Sequence, residues 1–405
     1  MKRRLLYLVL LLVAVVAAYV GALCALRGPV TTMRMLAHGN VSIRSYTIFP
    51  QRMVRTAAAP SPLETELRAN WPETVTYLTY PYDGGKATER WDDLFTRTDT
   101  RAFIVIQNDR VIHEAYPNGG SRDAISPSFS VTKSFVSTLI GLAVEDGTIG
   151  SLDDAVIRYL PELAGRGLDA LTLRHLLTMS SGVAYDTVDT VFPLLVPFSD
   201  DPRVFYTDNA RRVGLSVRAG PEPVGQYFRY NDYYLLLEGL ILERVTGRPL
   251  AQYLQERIWQ PLGMEYPGSW TLDSEASGFE KPEAGLNARA IDFARFGLLY
   301  LHHGRWNGKQ IVPEHWVIEA TSPDPGDQRP WPIFPVWPKT GGYYKYHWWG
   351  RKNADGSADY MARGNLGQII YVSPSHHAVV VRFGEGPQPD ALWPFAIRAL
   401  LESLS

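Results

Sequence analysis

The chain has 405 residues, of which 45% are apolar, and it sets 40 Lys and Arg against 42 Asp and Glu for a net charge of −2. That length and composition suit a large buried core and exclude disordered, collagen-like and coiled-coil classes. The balanced charge, with no basic block beyond the first few residues, excludes the footprint of a nucleic-acid binder, and the lone Cys24 excludes an intrachain disulfide or a cysteine nucleophile in the body of the protein.

Lys2-Arg3-Arg4 precede a run from Leu5 to Leu26, 22 residues without a charge. At about 1.5 Å per helical residue the run spans the roughly 30 Å hydrocarbon core of a bilayer. It exceeds the roughly 7–15 apolar residues of a signal peptide, so residues 1–30 read as a membrane anchor, with cleavage and secretion as the alternative. The basic cluster stays cytoplasmic, which places everything after Arg27 outside, at a bacterial inner membrane facing the periplasm. Residues 31–62, ending in Ala57-Ala58-Ala59-Pro60-Ser61-Pro62, read as a linker, and 63–405 as one domain.

Within that domain, Ala102 to Ile106, then Asn108-Asp109, then Val111-Ile112 predict a β-hairpin. From Ser130 to Glu145 the apolar residues Val131, Phe135, Val136, Leu139, Ile140 and Ala143 recur at helical spacing, with Asp146-Gly147 as the stop, so a helix begins around Ser128 to Ser130. Val188 to Ser216 carries no clear period and reads as a lid over a pocket. Gln368 to Val372 and Ala378 to Phe383 read as strands, and Ala391 to Leu404 as a helix. Strands at both ends with helices between them predict an α/β (α+β) sandwich whose sheet joins the N- and C-terminal segments of the domain.

The chemistry concentrates on Ser130-Val131-Thr132-Lys133. Residues three apart share a helix face, so the Lys133 amine can reach the Ser130 hydroxyl at a helix start rich in free N–H groups. A serine becomes a nucleophile when a neighbouring base takes its proton, and a desolvated lysine can be that base. Competing patterns are thin. No Gly-x-Ser-x-Gly elbow exists, and the adjacent pairs His302-His303 and His376-His377 would point to opposite faces of a strand, so no metal set is expected. A histidine base, His175 or His347, remains a weaker alternative.

A second segment, Tyr230-Asn231-Asp232 followed by a Leu-rich run ending in Val245-Thr246-Gly247, turns the pattern into a family one. Together with Ser130-x-x-Lys133, Leu176-Leu177-Thr178-Met179-Ser180-Ser181-Gly182, Ile258 to Met264, Gly285 to Ala288 and Asp292 to Gly297, it resembles the serine β-lactamase and penicillin-binding-protein superfamily. The likeness is to its class C-like branch of esterases, D-aminopeptidases and 6-aminohexanoate oligomer hydrolases, over about residues 60–400. It implies an antiparallel sheet flanked by helices plus a mostly helical subdomain, with Tyr230 moving protons beside Lys133 and no cofactor. Asp232 stands where the family has Asn and cannot offer an amide N–H. Lys339-Thr340-Gly341 matches the family's third motif literally but reads as a decoy. The better match is Ala362-Arg363-Gly364-Asn365, leading into a strand, with the N–H groups of Ser130 and Asn365 as the oxyanion hole and Gly364 as support. Ala362 then replaces the family's Lys or His, which argues against efficient β-lactam hydrolysis. Tyr185, Asp186 and Trp348 are expected to face substrate.

These readings predict a serine hydrolase for small esters or amides. The alternatives are β-lactamase or D-amino-acid peptidase activity, or a catalytically idle domain that binds at the cell envelope.

Overall fold

The computed structural model describes residues 2–39, 41–68, 77–82, 85–186, 199–386 and 392–404. Seven antiparallel strands organise the body: β1 (Thr100–Gln107), β2 (Arg110–Ala115), β3 (Gly342–Lys345), β4 (Trp348–Lys352), β5 (Ala358–Gly364), β6 (Gln368–Ser373) and β7 (Ala378–Gly384). Their spatial order is β3-β4-β5-β6-β7-β1-β2. The C-terminal strands therefore meet the N-terminal hairpin, with Val380 of β7 opposite Val105 of β1.

Seven helices form the anchor, carry the site or cover the sheet: α1 (Lys2–Arg27), α2 (Pro29–His38), α3 (Thr132–Glu145), α4 (Asp200–Tyr206), α5 (Tyr233–Thr246), α6 (Ala290–Leu301) and α7 (Leu392–Ser403). The last two lie on the two faces of the sheet. Phe293 of α6 stacks on Phe383 of β7 at 4.8 Å between ring centroids, while Trp393 of α7 lies 6.0 Å from Phe103 of β1. A sheet covered on both sides needs no polar face, so residues 102–106 of β1 and 378–381 of β7 read as apolar runs rather than alternating ones. Phe135 of α3 stacks on Phe296 of α6 at 3.7 Å, which locks the helix bearing Lys133 to the layer over the sheet.

The predicted helix at Ser130 starts two residues later than its spacing suggests. Phe129 has a φ of +47°, and Phe129–Val131 form a tight 3-10 turn before α3 begins at Thr132. The stretch read as a linker is folded instead: it contains α2, a 3-10 turn at Ser45–Ile48 and a strand at Gln51–Val54. That strand pairs antiparallel with Gly268–Thr271 in a second sheet, which continues through Leu286–Ala288 to Ser126–Pro127. Phe49 and Val54 are buried, and such long-range packing has no periodic signature in so short a segment. Of the segment read as a lid, residues 188–198 lie outside the described residues, and the rest contains α4 and a short helix at Ala210–Gly214.

Candidate active site

Three pieces of chain bring Ser130, Lys133, Tyr230 and Asp232 together; Ser130, Tyr230 and Asp232 line one cavity of about 630 Å³, and Lys133 is buried against them. The short second sheet fixes Ser126-Pro127, the turn at Phe129 lifts Ser130 to the cavity, and α3 carries Lys133 one turn on. The third piece is the start of α5, where Asn231 and Asp232 divide two jobs. Asn231 is buried, accepts the Tyr233 N–H at 2.8 Å and donates to the Val183 carbonyl at 3.4 Å, so it ties the helix start to a neighbouring loop. Asp232 instead faces the cavity.

Lys133 is 1% exposed; its ammonium donates to Ser130 Oγ at 2.7 Å and to the Glu283 carbonyl at 2.8 Å, and it forms an ion pair with Asp232 Oδ1 at 2.8 Å. Burial is the largest influence and pulls the Lys133 pKa down, but Asp232, Tyr230 and Glu283 together outweigh it and hold the amine above the ordinary lysine value. Lys133 is thus an ammonium at neutral pH, and the free-base lysine expected from the spacing is not its resting form. Its Nζ lies 5.1 Å from the centroid of the Tyr230 ring, and the Tyr230 phenol is within reach of both Ser130 and Lys133. Burial pushes the Tyr230 phenol up, with Lys133 pulling against it, so the phenol is neutral as well.

The second wall is β5. Gly364 packs so tightly on the nucleophile turn that a Cβ there would collide with the Ser128 carbonyl oxygen and sit 3.2 Å from Ser130 N. Asn365 follows at the cavity rim, in a three-residue connection to β6 with Leu366 at a φ of +60° and its N–H donating to Asn365 Oδ1 at 2.8 Å. Ala362 is fully buried, while Arg363 lines the cavity and lies over the rings of Trp349 and Trp337 at 4.9 and 5.2 Å. The cation missing at 362 therefore reappears one residue along. Lys339 is exposed at the end of the short helix Val336–Lys339 that precedes β3 and does not line the cavity.

Two expected residues lie elsewhere. Trp348 is buried on the opposite face of β4, 4.2 Å from the Tyr300 ring and 5.6 Å from Tyr360, and its neighbour Trp349 lines the cavity, because successive strand residues point to opposite faces. Asp186 is exposed, and its backbone N–H donates to Asp200 Oδ2 at 2.8 Å. Tyr185 acts at one remove, its hydroxyl donating to Asp201, and Asp201 itself lines the cavity. Burial, reinforced by the Asp232 charge, pushes the Asp201 carboxyl up to about 6.

Trp349, from the aromatic-rich stretch Trp331 to Trp349, joins the lining; Asp201 was missed, as were Met35, Val41, Phe205 and Phe334. No motif marks them. Neither histidine is placed to serve Ser130. His175 caps the short helix Leu173–Leu177 through Thr172, and His347 is buried between Glu238, at 2.8 Å, and the Tyr344 hydroxyl, at 2.9 Å. No cluster of three or more His, Cys, Asp or Glu that could hold a metal occurs among the described residues.

Comparison with known proteins decides the family. Residues 92–404 match the family model described as Beta-lactamase. The chain belongs to the beta-lactamase family. Over 311 residues it is 27% identical to the 6-aminohexanoate-dimer hydrolase of Paenarthrobacter ureafaciens, covering 72% of this chain and 74% of that protein. A shorter match, 33% over 156 residues, links it to Esterase EstB of Burkholderia gladioli and covers 36% of this chain and 38% of that one. Among solved structures, one from Bacillus anthracis described as a candidate 6-aminohexanoate-dimer hydrolase superposes with a TM-score of 0.73 at 22% identity, over 89% of this chain and 92% of that one. This family member is a hydrolase with the mixed helix and antiparallel-sheet fold of the serine β-lactamases and penicillin-binding proteins.

Proposed function

We propose that the protein is a membrane-anchored serine hydrolase that cleaves ester or amide bonds through an acyl-enzyme on Ser130. The observation that carries the reading is the Ser130 hydroxyl held 2.7 Å from the Lys133 ammonium, with the Tyr230 phenol in reach of both at the cavity floor. Ser130 Oγ bonds to the substrate carbonyl carbon as its proton passes to the Tyr230 and Lys133 pair, which shares one fewer proton in the active form. The carbonyl π electrons move to oxygen, which the N–H groups of Ser130 and Asn365 receive. Collapse expels the alcohol or amine with a proton from the pair, and water then adds to the acyl-enzyme, releases the acid and restores Ser130.

Asp232 sets the charge state of the pair, and Asp201, Arg363 and Trp349 select the substrate. Helix α1, the single helix among the described residues long and apolar enough to cross a membrane, anchors the chain with Lys2, Arg3 and Arg4 on the cytoplasmic side and the catalytic body outside. The full-length protein, beside Ser130→Ala, is tested on p-nitrophenyl acetate and butyrate, nitrocefin, a D-alanyl amide and a linear aminohexanoate dimer. Turnover that vanishes in Ser130→Ala, with an acyl or fluorophosphonate adduct on Ser130, supports the reading. Absence of both turnover and adduct favours an idle envelope-binding domain.

A further inference from the structure

The wall of the cavity nearest the anchor is built from residues that come directly after the anchor in sequence. Helix α1 ends at Arg27, Gly28 breaks the chain direction, and α2 runs from Pro29. Met35 of α2, with Gly39 and Val41 just after it, lines the same cavity as Ser130. At about 1.5 Å per residue, Met35 lies roughly 12 Å of helix beyond the end of α1.

The whole connection is pinned to the site. Arg27 donates to the Ser199 carbonyl at 3.2 Å, beside α4, and Arg34 donates to the carbonyls of Thr207 and Asp273 at 3.1 and 2.8 Å. The hydroxyl of Tyr206, a cavity residue at the end of α4, donates to the Gly39 carbonyl at 2.8 Å. The end of α1 is also drawn into the body: Leu23 is fully buried and Tyr19 and Val20 are half-buried, whereas Leu5 to Val13 are exposed. A bilayer that covers the 22 apolar residues of α1 must then reach the body of the protein, since Leu23 belongs to both.

The outward face of α2 fits that position. Thr31, Thr32 and Met35 are buried on its inner side, while Val30, Met33 and Leu36, three apart on the other side, are 44%, 61% and 46% exposed. A short helix with an apolar outer face, continuous with a membrane-spanning segment, lies in the bilayer interface. Its charged residue, Arg34, points inward to the carbonyls of the body and leaves the outer face free of charge.

We infer that α2 is seated in the outer leaflet, and that the site takes an amphiphilic ester or amide whose apolar chain partitions into the bilayer. The substrate slides past α2 into the cavity, where Met35, Val41, Phe205, Phe334 and Trp349 cover the chain, and its carbonyl meets Ser130. This rests on the serine-hydrolase reading above and adds the direction from which substrate arrives. The cavity volume of about 630 Å³ suits a ligand of that kind, since small-molecule sites are typically about 300–1,000 Å³ and mainly apolar.

The test uses the full chain in vesicles of phosphatidylcholine and phosphatidylglycerol, with p-nitrophenyl palmitate dissolved in the bilayer and p-nitrophenyl acetate in the water. Met33→Glu combined with Leu36→Glu charges the outer face and touches no cavity residue. The expected result is a loss of about ten-fold or more on palmitate, the effect of about 1.4 kcal/mol, with acetate hydrolysis unchanged. Equal rates on both esters before and after substitution, or an equal fall on both, overturns the inference. A second readout does not depend on turnover: an environment-sensitive fluorophore on Met33→Cys in a Cys24→Ser background. Blue-shifted emission in pure-lipid vesicles places α2 in the bilayer, and water-like emission overturns the inference and assigns the face to a protein partner. Should neither ester turn over while the label reports a lipid environment, the hydrolase reading fails and the membrane seat of α2 stands.

Discussion

Replacing Asp232 by Asn keeps the size of the side chain and removes the one carboxylate that pairs with the Lys133 ammonium. Two unit charges 2.8 Å apart at an effective dielectric of about 20 attract by about 6 kcal/mol. Asp232 is 23% exposed, so solvent screens part of this, and half of the gross figure leaves about 3 kcal/mol, or about two pH units at 1.36 kcal/mol per unit. The sign comes from the charges. Asp232 raises the affinity of both Lys133 and Tyr230 for a proton, so its loss lets the pair give one up at lower pH. Because the pair titrates as a unit, the prediction does not depend on which member is the base. In wild type, kcat/KM rises with pH toward the alkaline range, and in Asp232→Asn the same acidic limb moves about two units down. The measurement is a pH profile of kcat/KM on a soluble ester for both proteins, with circular dichroism at each pH to exclude unfolding. A limb that stays in place, or moves up, refutes the account of Lys133 as an ammonium held by Asp232.

Tyr230→Phe keeps the ring beside Trp349, whose centroid is 5.8 Å away, and removes only the hydroxyl, so kcat/KM falls by about 10²–10⁴ while the melting temperature changes little. Gly364→Ala drives β5 away from the nucleophile turn and misplaces the Asn365 N–H, so kcat falls by about 10²–10³, read against an unchanged ester KM. Phe135→Ala empties the space against Phe296 and costs about 3–5 kcal/mol of stability, measured as the shift in guanidinium midpoint of a chain lacking α1. A chain beginning at Pro60 lacks the strand Gln51–Val54 and opens the edge at Gly268–Thr271, so it melts below one beginning at Gly28 and aggregates more readily. Equal melting of the two truncations would show that the strand contributes nothing.

How much could be read in advance depends on range. Ser130 and Lys133 lie one turn apart, the hairpin at Asn108-Asp109 is local, and the Tyr230 segment carries its own pattern, so each is legible without the fold. The second hydrogen-bond acceptor on Lys133 is not. It is the backbone carbonyl of Glu283, 150 positions away in sequence, and every residue has a carbonyl, so no residue type announces it. Trp348 and Trp349 were indistinguishable because β4 begins with buried residues on both faces, and a start without alternation hides which face meets the cavity. Asp201 and Met35 reach the site through helices of ten residues or fewer, too short to show a period, and Val41 follows α2 in irregular chain.

The proposed oxyanion site joins two places where the backbone is held in an unfavourable form. Phe129 precedes Ser130 at a φ of +47°, and Leu366 follows Asn365 at +60°, both non-glycine residues in the left-handed region, each at a cost of about 1–3 kcal/mol. Neither conformation would persist alone. Phe129 is buried, Gly364 wedges against the Ser128 carbonyl, and Arg382 ties the Leu366 carbonyl at 2.6 Å to the buried end of β7. On the proposed reading, the packing that holds these two turns also keeps the N–H groups of Ser130 and Asn365 in place before any substrate arrives. Strain paid in the folded state is then absent from the reaction step, which is what electrostatic stabilisation by fixed donors requires.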